Sequence, residues 1–134
     1  MTLSVTTTNR IVWAVRIFVA IAFVAAATAK IAGFAPMVAV FEQIGIGQWF
    51  RYLTACIELV GALLLLIPTT GFFGALLLGS TMTCAVITHL LVIGGSPAPA
   101  ILLGGLCWFI AFRLRTNTTA IKTSDKRTAP NRRI

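Results

Sequence analysis

Apolar residues run along this chain in four long stretches parted by short polar or glycine- and proline-bearing breaks, and each stretch predicts a helix. The first, Ile11 to Phe34, holds 24 residues interrupted only by Arg16 and Lys30, long enough to cross a bilayer with tilt to spare. Small residues at Ala25–Ala29 resemble a signal-peptide cleavage region, but the apolar core before them exceeds a typical signal-peptide core, so a retained span is expected. Pro36 then opens a short segment in which Met37, Val38, Val40, Phe41 and Ile44 alternate with Glu42 and Gln43. It is too short to span, and we expect an interfacial helix ended by Gly45-Ile46-Gly47. The second span is expected over 49–67, the third over 72–93 after the Pro68-Thr69-Thr70-Gly71 turn, and the fourth over 97–112 after Gly94-Gly95-Ser96-Pro97. Trp49 and Tyr52, amphipathic rings at the start of the second span, are expected to anchor it at headgroup level.

Short turns force neighbouring spans to run antiparallel. The expected fold is therefore all-α: an integral membrane four-helix bundle, up-and-down, with the short interfacial helix between helices 1 and 2. Composition agrees, since 58% of the residues are hydrophobic and only 10% are charged, which a soluble domain of 134 residues could not bury. The expected organisation is a cytoplasmic segment 1–10, a transmembrane domain 11–115 and a flexible basic tail 116–134.

The net charge of +8 comes mostly from residues beyond Phe112, where seven Lys and Arg face one Asp. That region has no aromatic residue and is rich in Thr, Ser, Asn and Pro, so nucleic acid is not the expected partner; contact with anionic lipid is. Arg10, Arg16 and the tail fall on one side of the spans and Arg51 on the other, which places both termini in the cytoplasm.

Charged and ionisable residues within spans are the candidates for chemistry. Counting along the helices puts Lys30, Glu58 and His89 at similar depth in the outer half of the bilayer, on three neighbouring helices, where a shared polar cluster would be the economical arrangement. Glu58 shares its helical face with Thr54, Ala55, Gly61 and Ala62, small residues that let another helix approach; Ala22, Ala26, Ala29 and Gly33 do the same beside Lys30. Thr54, Gly61, Met82 and Ala85 are candidate lining residues. Such a cluster could fix helix register as a buried ion pair, or hold a ligand such as a quinone head group. No catalytic residue is assigned, and neither a metal nor a haem is expected, because Cys56, Cys84 and Cys107 are dispersed, no CxxC occurs, and His89 is the single histidine.

Several short motifs in a fixed order carry a resemblance: Lys30-Ile31-Ala32-Gly33-Phe34, Phe41, Ile44-Gly45-Ile46-Gly47, Glu58-Leu59-Val60-Gly61-Ala62, Pro68, Gly74-Ala75 and Thr88-His89-Leu90. From about Arg16 to Pro99 the chain resembles the DoxX-like family of small four-span bacterial membrane proteins, departing from it at Ala26, where a glycine is common. The resemblance implies the four-span fold. It also implies a link to redox membrane complexes, since members are associated with a quinone-reducing thiosulfate oxidoreductase and with oxidative and thiol stress, while a distant animal relative assists receptor assembly. Two functions therefore stand side by side: a quinone- or redox-associated subunit using Lys30, Glu58 and His89, and a non-catalytic assembly subunit that binds a membrane-protein partner or a second copy.

Overall fold

A computed structural model describes residues 4–128, with side chains described through Asn117. Among the described residues five α-helices follow one another: α1 (Val5–Ile31), α2 (Ala35–Ile44), α3 (Trp49–Leu66), α4 (Gly71–Thr88), which passes into a π-helical turn at His89–Ile93, and α5 (Ala98–Thr128). Four of them are long and apolar enough to cross a membrane, and α2 is the short helix between the first two spans. This is the all-helical, four-span arrangement that the hydropathy pattern predicts.

The helix bounds differ from the sequence expectation in three places. α1 begins six residues before Ile11, because Ser4 caps it, its hydroxyl accepting from the Thr7 amide at 3.3 Å. The third span changes hand-over at its end, where the Gly94 amide donates to the carbonyl of His89, five residues back, at 2.8 Å. α5 continues past Phe112 through the first part of the basic segment to Thr128. The last residues of the expected tail, 129–134, and the first three of the chain lie outside the described residues.

α1 packs against α3 and α5, and α4 packs against α3 and α5, so the spans form a closed ring of four. Phe23 and Val19 from α1, Leu65 from α3, Leu78 from α4, and Cys107 and Ile110 from α5 fill its centre and are fully buried. Cys107 is thus a core packing residue, while Cys56 and Cys84 lie on the outside. The α3–α4 contact is close because both helices present glycine there. A Cβ on Gly61 would meet the Leu78 side chain at 2.5 Å, and one on Gly74 would overlap the Leu65 backbone nitrogen.

Around this core the outward surface is apolar. Ile21, Leu63, Phe73, Leu91, Leu102 and Phe112 are each more than half exposed, a distribution that water would penalise and hydrocarbon does not. α2 lies across one end of the ring with Phe41 buried, its ring centroid 5.9 Å from that of Phe50, while Glu42 and Gln43 point away. Gly33, at φ 72°, makes the reversal from α1 into α2 without the steric cost a side chain would carry there.

Candidate functional site

Among the described residues four charged side chains are buried inside the apolar ring: Arg16, Lys30, Arg51 and Glu58. Each lies on α1 or α3, the antiparallel pair. Lys30 sits in the last turn of α1, and Glu58, near the middle of α3, lies on the stripe that also buries Ala55, Gly61 and Ala62. The Lys30 ammonium donates to both carboxylate oxygens of Glu58, at 2.9 and 2.8 Å. Glu58 is 2% exposed, so the pair is withdrawn from solvent and lipid alike. An intramembrane charge is tolerable on these terms, with a partner of opposite sign and its hydrogen-bonding capacity engaged.

Arg51 extends the pair toward the α2 end. Its Nη1 donates to the Lys30 carbonyl, its Nε to Gln48 Oε1 at 2.8 Å and its Nη2 to the Tyr52 hydroxyl at 3.1 Å, with the Tyr52 ring 4.5 Å from the guanidinium. Gln48 in turn donates to the Val38 carbonyl of α2 at 3.1 Å. Exposed Tyr52 is therefore joined by hydrogen bonds through Arg51 to the backbone of Lys30, and it is the side chain of that same lysine that holds the buried carboxylate.

Arg16 does the converse at the opposite end. From α1 it reaches the C-terminus of α3, donating through Nε to the Leu65 carbonyl at 2.8 Å and through Nη2 to the Ile67 carbonyl at 3.1 Å, while the Trp13 ring lies 4.1 Å away. Helix ends leave carbonyls without intrahelical donors, and hydrocarbon supplies none, so each helix of the pair caps the other with a cation suited to the negative end of the dipole. A sequence reading that treats both arginines as charges near span ends misses this, because a position near a helix end looks the same whether its side chain snorkels outward or folds back.

His89 stands apart from the pair. Half-buried at the start of the π-helical turn, it has Nδ1 3.4 Å from the Gly94 carbonyl, and it makes no hydrogen bond or ion pair to Lys30 or Glu58. The turn packs against α2, so His89 shares the end of the bundle with the network without joining it. The candidate lining residues have other roles in this geometry. Met82 is in the core with Ala85 packed beside it, Gly61 is the α3–α4 contact point, and the Thr54 hydroxyl donates to the Arg51 carbonyl at 2.9 Å. Trp49 and Tyr52 are both exposed at the start of α3, with Trp49 Nε1 donating to the Ile46 carbonyl at 2.9 Å. Among the described residues no group of three or more His, Cys, Asp and Glu side chains could hold a metal ion.

The pair, the glycine turns and the four-span ring together point to one family, and a model of the DoxX-like family matches residues 14–112. The chain belongs to the DoxX-like family. No curated protein and no solved structure matches it. The match starts within α1 and ends within α5, so it contains all four buried polar residues; the first turns of α1 and the basic continuation of α5 fall outside it. As a DoxX-like protein the chain is a multi-pass membrane protein with a lipid environment around its ring of helices.

Proposed function

We propose that this DoxX-like protein is a non-catalytic subunit of a bacterial inner-membrane assembly, oriented with both termini in the cytoplasm, and that Lys30–Glu58 is the lock that holds α1 and α3 in register. One observation carries this reading. Both oxygens of the buried carboxylate accept from a single ammonium, and Arg16 and Arg51 are spent on helix-end carbonyls, so these four side chains are engaged within the α1–α3 pair. A bundle whose buried acid is paired within the α1–α3 contact suits a component that presents its surface to a second membrane protein.

The test is a charge reversal, Lys30→Glu with Glu58→Lys. A lock keeps its function when its charges are exchanged, so the double variant should recover both the folded protein and the cellular phenotype that each single variant loses. Recovery of folding without recovery of phenotype would assign a chemical role to Glu58. Photocrosslinking from Phe41 and Trp49 then recovers the partner or a second copy of the chain.

A redox reading has one observation in its favour: exposed Tyr52, through Arg51, meets the residue that pairs with Glu58, so polar groups for a head group, such as that of a quinone, stand between the membrane surface and an ionisable residue. Titrating the purified protein with menaquinone or ubiquinone separates the readings. Saturable binding that Glu58→Gln abolishes supports the redox subunit, and absence of binding supports the assembly subunit.

A further inference from the structure

A groove of about 310 Å³ runs along the outside of the α1–α3 contact, lined by Ile17, Ala20, Ile21, Val24, Ala25 and Leu66, every one of them apolar. It exists because Ala20 and Ala25 are small where Ile17, Ile21 and Leu66 stand proud on either side. Alone, such a groove says only that hydrocarbon covers it. What lies at its end says more.

The groove face of α1 can be followed toward the N-terminus by helical phase. Residues 10, 17 and 24 are spaced seven apart, and residues 13, 17 and 21 four apart, so Arg10 and Trp13 continue the stripe of Ile17, Ile21 and Val24. Trp13 is partly exposed, with its ring held against the buried Arg16 guanidinium at 4.1 Å. Arg10, about 10 Å beyond Ile17 along the helix, is exposed and makes no hydrogen bond or ion pair among the described residues. Among the described side chains no carboxylate lies at that end of the bundle, since Glu42 and Glu58 belong to the α2 half. An apolar channel, then an aromatic ring at interfacial depth, then an unpaired cation succeed one another in the order of an acyl chain, a glycerol backbone and a phosphate.

We propose that this stripe is a binding site for one anionic phospholipid, its acyl chain in the groove beside Ala20 and Ala25, its glycerol region against Trp13 and its phosphate on Arg10. The preference for an anionic lipid comes from Arg10, which has no ion-pair partner among the described residues; the position comes from the groove, which a larger side chain would fill. The site is independent of Lys30–Glu58 and of the functional reading built on that pair.

The test uses the full-length chain with Trp49→Phe and Trp108→Phe, which leaves Trp13 as the sole tryptophan, reconstituted in phosphatidylcholine vesicles. Phosphatidylglycerol or phosphatidylcholine with acyl chains brominated near the glycerol end is then added as quencher of Trp13 fluorescence. The anionic quencher should reach half-maximal effect at about a fivefold lower mole fraction than the zwitterionic one, the factor expected for one basic residue at the membrane surface. Arg10→Gln should equalise the two lipids, and Ala25→Phe, which fills the groove and leaves every charge in place, should lower the effect of both. Equal midpoints in the parent protein overturn the proposal. So does a preference that survives Arg10→Gln and is lost only when residues 116–134 are removed, since that places the lipid on the basic tail.

Discussion

The two ends of the bundle solve one problem in different ways. At each, an arginine from one helix of the α1–α3 pair reaches the last carbonyls of the other: Arg51 to Lys30, and Arg16 to Leu65 and Ile67. At the α2 end the arginine belongs to a network of side chains, with Gln48, Tyr52 and, through the Lys30 residue, Glu58. At the other end Arg16 meets backbone and one aromatic face, in a space that exists because Gly71 has no side chain; a Cβ there would overlap the guanidinium. One end is therefore a coupled polar unit and the other an isolated cap. The difference teaches that a bundle in hydrocarbon must supply donors at every buried helix end, whereas it needs a charge pair only where it carries an acid.

The largest effect should come from breaking the coupled end at its acid. Glu58→Leu leaves the Lys30 ammonium buried beside an apolar side chain and should destabilise the bundle by about 3–5 kcal/mol, measured by reversible unfolding in mixed detergent. Lys30→Met together with Glu58→Leu removes both charges and should return stability to within about 1 kcal/mol of the parent, since well-packed apolar residues replace a buried ion pair at little cost. A double variant as unstable as Glu58→Leu alone would mean that the pair contributes more than mutual neutralisation.

Next in size are the caps. Arg51→Met and Arg16→Met should each cost about 1.5–3 kcal/mol, the range for hydrogen bonds made by a charged group. Their couplings to Glu58 should differ. In double-mutant cycles with Glu58→Gln, Arg51→Met should show an interaction of at least about 0.5 kcal/mol because both residues bond Lys30, while Arg16→Met, whose partner Leu65 is about 10 Å from Glu58 along α3 and which shares no partner with it, should be additive. Equal couplings would dissolve the contrast between the ends. Gly71→Ala sharpens it further, with an expected cost of about 1–3 kcal/mol from overpacking that should shrink when Arg16→Met has already vacated the space.

What could be read in the sequence follows the same division. The four spans and α2 were legible because hydropathy integrates over many residues, and the DoxX-like motifs lie at the turns and contact faces that make the fold. Lys30 and Glu58 could be placed on facing stripes because Ala55, Gly61 and Ala62 share a face with the acid, a pattern that straight-helix phase preserves. The roles of Arg16 and Arg51 were not legible, since capping depends on where another helix ends in space. The register of His89 was not legible either. Depth counted residue by residue assumes an unbroken α-helix up to Ile93, and the π-helical turn begins at His89 itself, changing the rise and the direction of the residues that follow.

That last point makes the smallest prediction the most discriminating for the composition of the polar unit. Among the described residues the His89 side chain has one polar contact, a 3.4 Å approach to the Gly94 carbonyl within its own turn, so His89→Ala should shift stability by no more than about 0.5 kcal/mol and should be additive with Glu58→Gln. The Lys30–Glu58 pair would then be complete as two residues, with Arg51 its extension toward the surface. A coupling between His89 and Glu58 larger than that would instead bring the imidazole into the unit in the membrane-embedded protein. It would move the balance of the two functional readings toward the redox one, because a second polar side chain able to bond a head group would then adjoin the buried acid.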